Sequence, residues 1–201
     1  DMSGFSENRE FEGEYGALSN PCFLIRHPDG DLIWDTGFEE SLADSTDGIN
    51  VPGFQAKMQR KLTEQLAELS LTPAGIDYVA LSHSHPDHAG NANLFVRSVF
   101  LAQEQEYEFM FSAERREDLS QFLFFEKLET ARTQFFKDKL DVFGDGRVVI
   151  HHMPGHTPGH AVLLVQLEKA GAKLLTGDLY LQAKGRDIRA VAKFNLNRSQ
   201  T

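Results

Sequence analysis

Within six consecutive residues, His83-Ser84-His85-Pro86-Asp87-His88, the chain places three imidazoles and one carboxylate. Few tasks other than holding a metal ion need such a density of nitrogen and oxygen donors. The apolar run Val79-Ala80-Leu81 reads as a short buried strand entering a tight turn at Ser82 to Pro86. If the backbone stays extended at the strand's end, His83 and His85 point the same way and can share one ion, at about 2.0–2.1 Å for zinc to nitrogen. Asp87 and His88 follow the turn and can face a second ion beside the first. Pro86 fixes its own φ and restricts the residue before it, which lowers the entropy of forming the cluster. The plain alternative, a polar loop with solvent-exposed histidines, is countered by a second histidine-rich segment downstream.

That segment is Pro154-Gly155-His156-Thr157-Pro158-Gly159-His160, between the apolar runs Val148-Val149-Ile150 and Ala161 to Leu167. Strand, Gly/Pro turn and returning strand present an imidazole at a sheet edge. A third run, Lys173-Leu174-Leu175-Thr176-Gly177-Asp178, ends in an acid. Two adjacent cations need a shared carboxylate, because a bridging oxygen offsets their repulsion at a separation of about 3.5–4 Å.

The ensemble Leu81 to Asn91, Pro154 to His160 and Thr176-Gly177-Asp178-Leu179-Tyr180 resembles the metallo-β-lactamase superfamily, and within it most the N-acyl homoserine lactonase-like branch. The resemblance runs from Phe23 to about Asn197 and implies an α/β fold, the αββα metallo-β-lactamase sandwich. It implies a first metal on His83, His85 and His156, a second on Asp87 and His88, and Asp178 bridging the two. Both ions are divalent, with zinc the first choice; iron, manganese and cobalt also suit such ligands. His160 matches a position that supports the site rather than ligating it. His151 and His152, at a strand end, read as structural or exposed, and His27 sits in a hairpin turn.

The same resemblance implies a dinuclear hydrolase. Two cations lower the pKa of a shared water toward neutrality, so a metal-bridging hydroxide attacks the carbonyl carbon of a lactone or ester. Asp87 and Asp178 orient the water and move a proton. Acyl homoserine lactones are the leading substrate; a β-lactam, thioester or phosphodiester is the alternative, as is a metal-binding protein without catalysis. Retention of His85 favours hydrolysis, since the oxidoreductase branch replaces one imidazole of the first motif by a carboxylate. Tyr180 reads either as a hydrogen-bond donor to the carbonyl or leaving oxygen, or as a core residue with its hydroxyl at the surface. It falls two residues after Asp178, against three in the best-known lactonases. Family members usually supply a last histidine to the second metal from a C-terminal segment, and no histidine follows His160 here.

Composition sets the remaining bounds. The 201 residues are 41% hydrophobic and 25% charged, in the range of one domain with one core. Lys and Arg number 20 against 30 Asp and Glu, a net charge of −10 that disfavours nucleic acid as substrate. A membrane-spanning run of about 18 apolar residues is absent from the sequence. The expected partner is a small molecule. Cys22 stands alone among apolar neighbours and reads as a buried thiol, which leaves cytoplasm and export both open as compartments. Asp1 is not an initiator methionine, and the expectation is a single domain over 1–201 that continues past both ends.

Along the chain, Cys22 to Arg26 and Leu32 to Asp35 predict a hairpin around His27-Pro28-Asp29-Gly30. Asp35-Thr36-Gly37 resembles a family loop near the metals, with Asp35 either catalytic or an acceptor of backbone N–H groups. The spacing of Met58, Leu62, Leu66 and Leu69 predicts a helix from Gln55 to Leu69, closed by Thr72-Pro73. Leu119, Phe122, Leu128, Ala131 and Phe135 predict a long helical insert ending before Gly144. Surplus phenylalanines, Phe109, Phe111, Phe124, Phe125 and Phe136, are assigned either to the packing of that insert or to an acyl-chain pocket or dimer face. The C-terminal Phe194 to Thr201 resembles the entry to a further helix.

Overall fold

The computed structural model describes residues 1–200. In chain order its strands are β1 (Phe23–His27), β2 (Gly30–Trp34), β3 (Ile49–Val51), β4 (Phe54–Ala56), β5 (Tyr78–Ala80), β6 (Val99–Gln103), β7 (Thr133–Phe136), β8 (Lys139–Asp141), β9 (Val148–His152), β10 (Ala161–Leu167) and β11 (Gly171–Leu175). Its helices are α1 (Leu62–Glu68), α2 (Pro86–Ala89), α3 (Glu104–Met110), α4 (Ala113–Glu117), α5 (Leu119–Phe122) and α6 (Ala183–Ile188). None of the described helices is long and apolar enough to cross a membrane. The described residues gather into two compact units, one of Asn20–Ala102 and Met110–Phe135, the other of Asp1–Ser19, Gln103–Phe109 and residues 136–200.

In the first unit β1 and β2 pair antiparallel across Pro28-Asp29, with His27 opposite Gly30, as the turn signal predicts. The sheet order is β1-β2-β5-β6-β7, and β2, β5 and β6 run parallel. Parallel strands buried on both faces read as unbroken apolar runs; accordingly Leu32, Ile33, Trp34, Val79, Ala80, Phe100 and Leu101 are all buried. The register places Trp34 beside Ala80, so the segments leaving these two strands start side by side at the carboxyl ends of the sheet. In open α/β sheets that end is where ligands bind.

The helix expected from Gln55 starts only at Leu62. Val51 faces Phe54 across Pro52-Gly53, Gly53 takes a φ of 81°, and Phe54 to Ala56 are drawn into a two-stranded ribbon. Helix α1 opens where the Glu64 carboxylate accepts the Lys61 N–H, and it buries Leu62 and Leu66. The long helical insert is likewise broken into α3, α4, α5, a 3-10 turn at Glu126–Thr130 and strands β7 and β8. Near-helical spacing there reflects aromatic packing instead: Phe111, Phe122 and Phe125 meet edge to face, with centroids 5.8–6.3 Å apart. Phe125 and Phe122 are thereby core residues.

The second unit is built on the antiparallel sheet β11-β10-β9-β8. Val148 and Ile150 of β9 and Ala161, Val162, Leu163 and Val165 of β10 form its interior, while β11 is an edge with Ala172, Lys173 and Leu174 exposed. Residues 193–200 form turns: Arg198 Nη2 donates back to the Lys193 carbonyl at 2.8 Å, and Asn197 Oδ1 accepts Ser199 N–H.

Candidate metal centre

In the first unit the segment after β5 carries His83, His85, Asp87 and His88. His85 is extended, with φ −70° and ψ 153°, and Pro86 occupies the first position of α2, where its missing N–H costs nothing. His83 is fully buried, and its Nε2 lies 2.9 Å from Nδ1 of His85. Two nitrogens on a tetrahedral zinc at about 2.0–2.1 Å would sit roughly 3.3 Å apart, so this pair fits a common ion. The rings of His83 and His88 lie 4.2 Å apart, and His88 Nε2 is 3.6 Å from Asp87 Oδ2.

Asp35 organises this cluster from the end of β2. Its N–H donates to the Ala80 carbonyl at 3.0 Å, continuing the sheet register by one residue. It then adopts a left-handed φ of 57°, a conformation that Asp tolerates better than most residues. The buried carboxylate accepts Ser82 N–H at 2.6 Å, Ser82 Oγ–H at 3.0 Å and His88 Nδ1–H at 3.0 Å. Ser82 Oγ also lies 3.1 Å from His83 Nδ1. With Nδ1 so engaged, each of His83 and His88 keeps Nε2 as the ligand-type nitrogen, the arrangement by which outer partners fix a metal-binding imidazole. Of the two roles open to Asp35 in the sequence, accepting backbone and side-chain donors is the one seen.

The loop after Asp35 is pinned to α2. Thr36 N–H donates to the His88 carbonyl at 2.7 Å, and Asn91 Nδ2 donates to the carbonyls of Thr36 and Phe38. Gly90 is required there, because a Cβ would stand 2.2 Å from Glu39 N and 2.5 Å from Gly37 O. Cys22 lies nearby: its sulfur is 3.0 Å from where a Cβ on Gly37 would be, and burial, with Asp35 adding to it, pushes the thiol pKa up to about 12.

In the second unit His156 and Asp178 come together, with His156 Nε2 3.4 Å from Asp178 Oδ2. His156 Nδ1–H donates to Asn195 Oδ1 at 2.9 Å. His160 uses both nitrogens on the backbone: Nδ1–H donates to the Met153 carbonyl at 3.0 Å, and Nε2 accepts Asp178 N–H at 3.1 Å. It therefore holds the Asp178 backbone in place. His151 is part of β9, and His152 Nε2 contacts the Pro158 carbonyl. Tyr180 follows the turn Gly177–Leu179, is 37% exposed, and borders a small cavity with Asp178, Phe5, Phe11 and Asn195.

Two residues that hold this second cluster carry no sequence signal. Buried Glu106, on α3, accepts Thr157 Oγ1–H at 2.6 Å and Gly159 N–H at 3.1 Å, and so shapes the His156 turn. A Cβ at Gly159 would meet Glu106 N at 2.1 Å, which explains the glycine. Asn195 lies in a turn far along the chain from His156. Only the fold makes either residue a partner of the site.

The metallo-β-lactamase superfamily pattern matches residues 15–191. The chain belongs to the metallo-β-lactamase superfamily. Among its relatives are the N-acyl homoserine lactonase AttM of Azorhizobium caulinodans, 32% identical over 174 residues, and an N-acyl homoserine lactonase of a Bacillus species, 32% identical over 176 residues. These matches cover 79% and 83% of this chain. They span 64% and 66% of the two relatives, just under two thirds of their length. The resemblance to the lactonase-like branch is thus met by relatives of that name. A solved N-acyl homoserine lactone hydrolase, with N-hexanoyl-L-homoserine bound at its catalytic metal centre, superposes with a TM-score of 0.80 at 22% identity. That likeness covers all of this chain and 78% of the other, and it establishes the α/β fold of the metallo-β-lactamase superfamily. The imidazole and carboxylate donors of this superfamily member suit divalent metal ions.

Proposed function

We propose that this superfamily member is a dinuclear metal-dependent hydrolase that opens a lactone or ester, with acyl homoserine lactones as its leading substrates. His83, His85 and His156 hold one ion, Asp87 and His88 the other, and Asp178 is shared between them; zinc is the proposed metal. The chain acts as a single metallo-β-lactamase-like domain on a small-molecule substrate, with neither nucleic acid nor membrane as partner, and a second copy of the chain is the proposed assembly partner. The observation that carries this reading is the convergence of His83 Nε2 and His85 Nδ1 at 2.9 Å, with His83 and His88 each turned by a defined neighbour. The names of the 32%-identical relatives support the substrate class.

Bound ions supply Lewis acidity toward a carbonyl oxygen and toward water. The chain supplies the rest. Asp35 and Ser82 hold His83 and His88 in one tautomer, and His160 holds the backbone of Asp178. Asp87 and Asp178 orient the attacking water and take its proton as the new carbon–oxygen bond forms. The ring carbon–oxygen bond breaks, and that proton passes to the departing alkoxide oxygen, giving a hydroxy acid. Tyr180 donates a hydrogen bond to the carbonyl or to the leaving oxygen.

The test is elemental analysis of the purified protein beside hydrolysis of homoserine lactones, bis-p-nitrophenyl phosphate and a β-lactam, with and without chelator. Two metals per chain and chelator-sensitive ring opening are expected. Preference for the phosphodiester or the lactam would move the chain to another hydrolase class, and metal uptake without turnover would make it a binding protein.

A further inference from the structure

His156 is held by four consecutive residues of the second unit that no motif marks. The Phe194 ring stands edge-on to its imidazole, with centroids 5.8 Å apart and planes at 85°. Asn195 Oδ1 faces Nδ1 at 2.9 Å, Leu196 N–H donates to the His156 carbonyl at 3.2 Å, and Asn197 N–H donates to the Gly155 carbonyl at 2.8 Å. Asn195 itself is buried, with 6% of its surface exposed. These four residues are tied in turn to the start of the chain. Lys193 N–H donates to the Gly4 carbonyl, Glu7 N–H donates to the Val191 carbonyl, and Phe5 packs edge-on against Phe194 at 6.0 Å.

We propose that Asn195 is a positioning residue that sets the tautomer of His156, and that Phe194 to Asn197, anchored by residues 4–7, are the clasp that aims its Nε2. An amide oxygen accepts and cannot donate, so it selects the Nδ1–H form and leaves the Nε2 lone pair directed toward Asp178. An imidazole in the other tautomer would present N–H where a ligand atom is needed. The inference rests on the reading of His156 as a metal ligand, and it assigns to an uncharged amide the task that Asp35 performs for His88.

The experiment compares the full chain with Asn195→Leu, which removes the acceptor, and Asn195→Asp, which keeps one. Zinc affinity is read by chelator competition, and the His156 Nδ1–H proton by nitrogen-15 NMR. The wild type is expected to show a protected Nδ1–H proton. Asn195→Leu should lose it and bind zinc about 10–100-fold more weakly, whereas Asn195→Asp should retain both. A folded Asn195→Leu variant with unchanged affinity and a protected proton overturns the proposal, as does a wild type whose His156 carries its proton on Nε2. If the wild type takes up no zinc, the metal reading fails, and the NMR comparison on the zinc-free chain still decides the role of Asn195.

Discussion

The two donor clusters are assembled by different means. In the first, four donors lie in one short segment, and a proline, a three-residue strand and the single carboxylate of Asp35 suffice to aim them. In the second, His156 and Asp178 leave different strands, and their support comes from α3, from the turns after α6 and from the N-terminal residues. In one cluster a charged carboxylate at a sheet end faces an imidazole Nδ1, in the other a neutral amide does. Local assembly concentrates the cost of order in a few residues, whereas distributed assembly makes the site depend on the packing of the whole unit.

That contrast can be broken at three points. The largest effect is expected from His85→Ala, which removes a donor no neighbour can replace. One metal ion per chain should be lost, by elemental analysis, and lactone hydrolysis should fall below detection while circular dichroism stays native. Retained activity would remove the first cluster from the reaction.

A smaller effect is expected from Asp35→Asn. Asparagine tolerates the left-handed backbone at this position, but it carries no charge and accepts with one oxygen where Asp35 serves three donors. Metal affinity should fall about 10–100-fold, measured by chelator competition. A drop equal to that of Asn195→Leu would mean that charge adds little at this distance from the ions; a larger one would show that the first cluster depends on it.

The smallest effect concerns Cys22. Its thiol is shifted upward from 9.0 to about 12 by burial and by Asp35, so the folded state holds a proton that the unfolded chain releases earlier. The resulting stability is complete below about pH 9 and is lost as pH rises from 9 toward 12. Urea midpoints at pH 8 and pH 10 should fall more for the wild type than for Cys22→Ala. Thiol reagents at pH 8 should modify Cys22 slowly until the chain is unfolded. Rapid labelling of the native protein would show that the Asp35 loop is open.

Much of this was legible in order of locality. The hairpin around Pro28-Asp29, the strand entering the His83 segment and the returning strand after His160 follow from short apolar runs and turn chemistry, which act over a few residues. The helix read from Gln55 and the long insert after β6 depart from their helical spacing for different reasons. Apolar spacing near the helical period also arises when aromatic side chains such as Phe111, Phe122 and Phe125 pack on one another across short, broken elements. Pro52-Gly53 diverted the first helix into a ribbon, because a glycine with positive φ stabilises a hairpin locally.

The sequence by itself determined the donor types, their clustering at His83 to His88, the second histidine turn and the terminal acid, since chemistry and short-range turn geometry are written in consecutive residues. Only the tertiary structure decided that Asp35 faces Ser82 and His88, that Glu106 braces the His156 turn, that His160 spends both nitrogens on the backbone, and that Asn195 meets His156. Those partners are distant in the chain, and what joins them is strand register and burial, where an unpaired polar group is costly enough to fix its neighbour.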